Sequence, residues 1–409
     1  MAGADGRPPL APRPTLIPFP LLLYDATHTS HTRAQTGIQR VVRALFAELA
    51  KTQSVTGICH DPYLRAWRPL APGEINRMRP GQPATASRGA KWPLHRQLTG
   101  HARRLFGAKP ALPATDGLIC PELFSARAAA QLPELLGVVR GPRVAIFHDA
   151  IGLKVPELTP PGTVARLPGY LRELLAFDGV AAVSEDSAAS LQDYWSWLGV
   201  TGAPPVLAIP NGIDPVPPSA VAVRPTAVPR ILCVATIEGR KNHLALLAAC
   251  ESLWQQGRRF ELELLGLARA DTAGRALAKI AELQRTGRPL HYGGVAADAA
   301  LHAAYRRCSF TVYPSLLEGF GLPVLESLQH GKPCLCSAHG ALGEAARGGG
   351  CVALDSVDAA SLAGAIDRLL QNPAEIAALS VLARARPFRS WAEQARDLAA
   401  WMRTLPHRA

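Results

Sequence analysis

Residues 313–333, YPSLLEGFGLPVLESLQHGKP, run from the end of an apolar segment through two glycines into a helix-forming one. Gly319 and Gly321 carry no Cβ, so the backbone there can turn sharply and approach a ligand closely. Pro323 suits the first turn of the helix that follows, because its φ is preset and its missing N–H had no helical partner to lose. A helix opening from such a loop presents free N–H groups and a positive dipole end, surroundings that favour a diphosphate. Glu326 falls in that helix's first turns, where acceptor-only oxygens can take two ribose hydroxyls. Glu318, ahead of the glycines, is placed to meet the other half of the same ligand.

The strand-then-helix order repeats along the chain. LLLYDAT precedes GIQRVVRALFAELAK, RVAIFHDA precedes a helical stretch, and GVAAVSE precedes SAASLQDYWSWL. RILCVAT then leads into KNHLALLAACESLWQQG, FELELLGLA, a helix through residue 285, LHYGGV, a helix to Arg307 and SFTVYPS. Such alternation predicts βαβ units with parallel sheets. It stops at residues 206–230, VLAIPNGIDPVPPSAVAVRPTAVPR, where prolines bar a continuous helix or a central strand. The fold class expected is α/β, with two Rossmann-like domains over residues 1–210 and 230–388 and a linker at 211–229. At 409 residues the chain is too long for one compact core and suits two domains. The turn at Asn211 and Gly212 is the expected hinge.

Hydrophobic residues at 48% are ample for buried sheets, while 19% charged residues are too few for a disordered or coiled-coil chain. Leu16 to Tyr24, the best N-terminal apolar run, is short and holds two prolines, so no membrane span is expected. MAGADGRPPLAPRP lacks the basic start and apolar run of a signal peptide, which points to a cytoplasmic location. The eight cysteines lie mostly in apolar runs without a CxxC pair and read as reduced core residues. Formal charge is +12, from 44 Lys and Arg against 32 Asp and Glu, which favours anionic ligands or lipid headgroups.

Most of that excess sits in an insertion at 65–109. Ten basic residues (Arg65, Arg68, Arg77, Arg79, Arg88, Lys91, Arg96, Arg103, Arg104 and Lys109) face one acid, Glu74, with Trp67 and Trp92 interleaved. Two readings stand: peripheral contact with an anionic membrane surface, or a solvated loop. No nucleic-acid-binding module is visible, so that partner is not expected.

EGFGLPVLE resembles the E-x7-E motif of retaining glycosyltransferases of family GT4, which have the GT-B fold. AVSEDS at 182–187, IPNGID at 209–214 and TIEGRKN at 236–242 are similar to further segments of that family. IFHDAIGLKVPE resembles a stretch of its mannosyltransferase-like members, and RSWAEQARDLAAWM its closing helix, which crosses back onto the first domain. The resemblance therefore implies that residues 389–409 pack on the N-terminal, acceptor-side domain and that residues 230–388 bind the nucleotide sugar.

It also implies site roles. Arg240 and Lys241 would neutralise the departing diphosphate. Many relatives carry an arginine five places before the lysine, where this chain has Thr236, so Arg240 is the substitute. Gly319, Phe320, Gly321, Leu322 and Glu326 would line the donor, with Glu318 on its sugar. His148, at a strand's carboxyl edge, would hydrogen-bond the transferred sugar. Asp149 either contacts the acceptor or caps a turn. Gly37 permits close approach of the donor phosphate, although the family often has two adjacent glycines where this chain has Thr36 and Gly37. Arg40 reaches a phosphate or an anionic acceptor, or is an ordinary helix charge; Ser315 touches the donor or caps a turn. Gly348 to Gly350 lack a P-loop's Lys-Ser/Thr and read as a turn.

No Asp-x-Asp triplet occurs, and His28 and His31 have no third ligand at a recognisable spacing, so neither a metal nor a cofactor is expected. The donor suggested by the likeness is GDP-mannose, with a UDP-sugar next, and the acceptor a glycan or lipid-linked oligosaccharide of a surface polysaccharide. The expected chemistry is retaining transfer by front-face substitution, without a covalent intermediate. A sugar-nucleotide epimerase of the same fold and a silent nucleotide-binding relative are the alternatives.

Overall fold

The computed structural model describes residues 19–80, 89–107, 110–217 and 228–406. The opening stretch read for a leader, Arg88 and Lys109 of the basic insertion, linker residues 218–227 and the last three residues lie outside that description.

Seven strands form the first sheet: β1 Leu22–Asp25, β2 Val55–Asp61, β3 Ala66–Pro69, β4 Gly117–Cys120, β5 Arg143–Phe147, β6 Gly179–Ala182 and β7 Val206–Ala208. Their order is β3-β2-β1-β4-β5-β6-β7, parallel except for β3, which pairs antiparallel with β2. The second sheet holds β8 Arg230–Val234, β9 Glu261–Leu265, β10 Leu290–Tyr292, β11 Phe310–Tyr313, β12 Cys334–Ser337 and β13 Cys351–Leu354. Its order is β10-β9-β8-β11-β12-β13, and every pairing is parallel. Apolar runs such as LLYD, RVAIF and FTVY are buried throughout, as strands covered by helices on both faces must be. Each doubly wound sheet reverses its order once, between β1 and β4 and between β8 and β11, and the crevice outside the carboxyl ends of those strands is where such sheets hold ligands.

The proline-rich segment opens with β7, which is tolerated because it lies at the sheet's edge. Beyond it, residues 211–214 run beside 389–394. Ile213 N–H donates to the Arg389 carbonyl at 3.0 Å, Gly212 N–H to Gln394 Oε1 at 3.0 Å, and Trp391 Nε1–H to Asp214 Oδ1 at 2.8 Å. A Cβ on Gly212 would stand 2.3 Å from the Trp391 nitrogen, so only glycine allows the two segments to touch. The helix Trp391–Met402 then buries Trp391, Ala395, Leu398, Ala399 and Met402 in the first domain's core. Its start is fixed by a Ser390–Glu393 capping box.

The basic insertion is partly built into the first domain. Trp67 is buried and donates to the Gln131 carbonyl at 3.0 Å. Arg68 is buried between Asp61 and Glu74 at 2.9 and 2.7 Å. These two residues are therefore core elements rather than parts of a solvated or lipid-facing loop. Seven cysteines are buried and Cys351 is half-buried, all as free thiols. No described helix is long and apolar enough to cross a membrane.

Candidate active site

Both sheets turn their switch-point edges toward one junction. After β8 comes a short 3-10 turn, Gly239–Lys241, and after β11 the loop that carries Glu318. These bring Lys241 and Glu318 into a direct ion pair in which Tyr313 OH joins the Lys241 ammonium at 2.6 Å and Glu318 Oε1 at 2.9 Å. Arg240 Nη1 reaches Glu318 Oε2 at 2.9 Å, and its Nη2 reaches Glu238 Oε1 at 2.8 Å. Ser315 Oγ donates to Glu318 Oε1 at 2.5 Å. Burial alone would raise the Glu318 pKa. Lys241 and Arg240, with the Ser315 hydroxyl, overcome it and hold the carboxyl at about 2. Burial pushes Lys241 below its ordinary value, opposed by Glu318. Burial opposes Arg240's charge as well, but Glu318 and Glu238 outweigh it and raise its pKa. The two expected cations are thus held beside the first glutamate of the motif, fully charged on the carboxylate side.

Ser315, expected against the donor or at a turn, is 0% exposed and supports Glu318 instead. Thr236 is half-buried just past β8. Gly321 takes φ +96° as the cap of the helix Leu322–Gln329, a conformation that suits glycine. A Cβ on Gly319 would stand 2.2 Å from the His148 carbonyl oxygen, so this glycine serves contact between the domains. The Gly319 carbonyl accepts from Ser184 Oγ at 2.7 Å and Ser187 Oγ at 3.2 Å. Phe320, assigned to the donor from sequence, packs its half-buried ring against the first domain's core.

Across the junction lies the helix Gly37–Thr52, whose N-cap, Thr36, makes no side-chain cap bond. Gly37 is exposed, and the nearest atom to a Cβ built on it is Leu322 Cδ1 at 3.9 Å, in the opposite domain. Gly321 likewise offers the helix after it no side chain to bond. Two helix mouths without side-chain caps therefore oppose each other, one from each sheet, although in the second Pro323 carries no N–H and Val324 N–H donates to the Gly321 carbonyl at 3.0 Å. Arg40, one turn inside the first helix, spans the gap to Glu326 Oε1 at 2.5 Å and reaches Asp214 Oδ2 at 2.9 Å. Tyr305 OH donates to the other Glu326 oxygen at 3.1 Å. Glu326 raises the Arg40 pKa despite burial. The carboxylate expected on a ribose is here held by the arginine expected on a phosphate or acceptor.

His148 is buried beyond β5, and its Nε2 meets the Pro121 carbonyl at 2.7 Å. That bond requires a proton on Nε2 and leaves Nδ1 as the acceptor of a neutral ring. Burial also lowers its pKa. Asp149 Oδ1 accepts the Ile151 N–H at 3.0 Å, so of its two readings the structure displays the cap. Two carboxyls missed in the sequence, Asp25 and Glu122, lie buried at the first sheet's switch point. Burial, then each other's charge, pushes Asp25 up to about 7, and burial likewise raises Glu122. Glu122 accepts the His28 and Thr29 N–H groups at 2.7 and 2.8 Å, which fixes the loop leading to Gly37. No periodicity marks either residue; only the crossover between β1 and β4 brings them together.

His31, Cys59 and Glu74 lie close enough to share a cation. They do not fit one well. Arg68 binds both Glu74 oxygens at 2.8 and 2.7 Å, and the His31 ring is stacked on Trp92 at 3.5 Å. An arginine at that distance repels a metal ion, and burial raises the Cys59 thiol pKa away from the thiolate a metal needs.

Two Rossmann-like domains meeting at their switch points over such a junction constitute the GT-B architecture. Residues 220–386 match the family of glycosyl transferases group 1. Serotype-specific mannosyltransferase WbdA of Escherichia coli is 26% identical over 336 residues, covering 77% of this chain and 38% of that protein. The chain thus spans well under half the length of that relative. O-antigen chain mannosyltransferase B of Escherichia coli is 30% identical over 259 residues, 61% of this chain and 66% of that one. HepE of Anabaena, solved with UDP-glucose, superposes with a TM-score of 0.65 at 15% identity, over 94% of this chain and all of that one. The family likeness thus lies on the second domain, residues 220–386, and the likeness of the whole chain to HepE is one of fold.

Proposed function

We propose that this chain transfers a sugar, with retention of configuration and without a metal, from a nucleotide diphosphate to a glycan or lipid-linked acceptor of a surface polysaccharide, working on the cytoplasmic face of a membrane. The observation that carries the reading is the facing pair of uncapped helix mouths at Gly37 and Leu322, with Lys241, Arg240 and Glu318 clustered in the second domain beside them. A diphosphate entering there meets four sources of fixed positive potential: two helix dipoles, a guanidinium and an ammonium. GDP-mannose is the favoured donor, supported by the mannosyltransferase relatives; a UDP-sugar is second, supported by the UDP-glucose bound to HepE.

Glu326 exchanges Arg40 for the ribose hydroxyls as the donor binds. Lys241 and Arg240 then stabilise the charge that develops on the leaving diphosphate. That diphosphate takes the acceptor's proton on the same face, while the neutral His148 ring and Glu318 hold the sugar as it gains oxocarbenium character. Position and charge supply the rate, and a closed junction excludes water that would hydrolyse the donor.

The test is incubation with GDP-mannose and UDP-sugars together with lipid-linked acceptors, following free nucleotide and product glycan. Glu326→Ala is expected to weaken donor binding, and Lys241→Ala to slow transfer with little change in binding. Unchanged affinity and rate in both variants refute the site. An altered donor sugar without glycan product would indicate an epimerase, and donor binding without turnover a silent relative.

A further inference from the structure

The helix Leu94–Leu105, LHRQLTGHARRL, has an apolar stripe that no described part of the chain covers. Leu94, Leu98 and Leu105 recur at spacings of four and seven, which puts them on one helical face. They are 75%, 70% and 85% exposed, and Phe106, at the helix end, is 87% exposed. Apolar side chains this large, this exposed and this close together are unusual on a soluble surface. Lys91, Arg96, Arg103 and Arg104 accompany them, and no acid occurs from residue 89 to 107.

The helix is anchored, not loose. Gly100 is its buried contact: a Cβ there would lie 2.8 Å from Tyr63 Cβ and 3.1 Å from the Leu64 nitrogen. Trp92, just before the helix, stacks on His31 at 3.5 Å and meets Tyr63 edge-on at 5.9 Å. Lys91 N–H donates to the His31 carbonyl at 2.7 Å, and Gln97 Nε2 donates to the Trp92 carbonyl at 2.8 Å. Tyr63 and Leu64 follow the carboxyl end of β2, and His31 belongs to the loop that runs into Gly37. The helix is therefore fixed beside the first domain's wall of the junction, with its leucines turned away from the protein.

We infer that this face is the surface by which the enzyme lies on an anionic bilayer. Leu94, Leu98, Leu105 and Phe106 enter the headgroup boundary, and Lys91, Arg96, Arg103 and Arg104 meet lipid phosphates around them. Charge selects this occupant: a second copy would bring four more cations against these four, whereas an anionic membrane neutralises them. The inference rests on the proposed membrane-side acceptor and names the surface that would bring it to the cleft.

The test uses the full chain with vesicles of phosphatidylcholine alone and of phosphatidylcholine mixed with phosphatidylglycerol. Sedimentation with the mixed vesicles only, weakened by salt, is expected. Arg103→Gln with Arg104→Gln should lower partitioning about twenty-five-fold, at roughly fivefold for each charge. Leu98→Ser with Leu105→Ser and Phe106→Ser should abolish it, since charge alone does not hold the helix in the interface. All five positions are on the surface, so nucleotide binding by the same variants should equal that of the parent. Equal binding of parent and variants to the mixed vesicles overturns the inference, as does equal binding of the parent to both vesicle types. A parent dimer in sedimentation velocity that the serine variant dissociates also overturns it, in favour of a second copy. Loss of transfer in the parent, with vesicle binding intact, counts against the proposed function alone.

Discussion

Replacing Glu318 with glutamine tests the centre of the cluster, because the side chain keeps its shape and loses only its charge. In the folded protein this carboxyl is buried, and its pKa falls from an ordinary 4.5 to about 2 under the influence of Lys241 and Arg240. A carboxyl whose folded pKa lies below its unfolded one stabilises the fold fully above the unfolded value and loses that contribution as pH falls through the folded value. At about 1.4 kcal/mol per tenfold change, the drop corresponds to roughly 3 kcal/mol near pH 7 and to about 1.4 kcal/mol near pH 3. Because burial lowers the Lys241 pKa, the ammonium returns part of that gain, and the carboxylate figure is an upper bound for the pair. Removing one partner of a buried pair has an independent scale of about 3 to 5 kcal/mol. Urea denaturation of parent and Glu318→Gln should therefore show a loss of about 3 kcal/mol near pH 7 that shrinks by at least half near pH 3. A difference below the ~1 kcal/mol of an exposed pair, or one equal at both pH values, refutes the cluster as described.

Three further outcomes follow from the same geometry. Gly319→Ala brings a methyl to 2.2 Å from the His148 carbonyl, between two backbones that cannot yield, so transfer should fall on the order of 10²-fold while nucleotide binding to the isolated second-domain surface persists; wild-type kinetics would contradict the observed closure. Arg40→Ala releases Glu326, and calorimetric binding of GDP or UDP should tighten by about fivefold, the ~1 kcal/mol of a partly buried ion pair. Weaker binding would instead assign Arg40 to a phosphate. Chelation with EDTA should leave the transfer rate unchanged, since arginine, lysine and helix mouths are proposed to carry the diphosphate charge; a loss restored by a divalent ion would overturn that.

Several features were legible before the fold because they depend on local chemistry. The alternation of apolar runs with amphipathic stretches specifies strands and helices through nearest-neighbour geometry. A glycine-proline helix mouth flanked by glutamates is likewise a local pattern, and the helix Leu322–Gln329 does open at Gly321. Arg240 and Lys241 were singled out by the likeness of TIEGRKN to a family segment, and their place after an apolar strand agrees with the rule that doubly wound sheets act at their carboxyl edges.

Tertiary structure decided what those residues touch. Ser315 and Glu318 are three places apart in an irregular loop, so no periodicity tells that one hydroxyl points at the other's carboxylate. Arg40 and Glu326 are separated by 286 positions, and their contact exists only because two domains close on each other. Asp25 and Glu122 become neighbours through the crossover between β1 and β4, and the buried Trp67 and Arg68 looked like parts of a solvated basic run until β3 paired with β2. Sequence alone fixes propensity and periodicity, which are short-range. Burial, pKa and the partner of each charge depend on the low-dielectric surroundings that only the assembled chain creates.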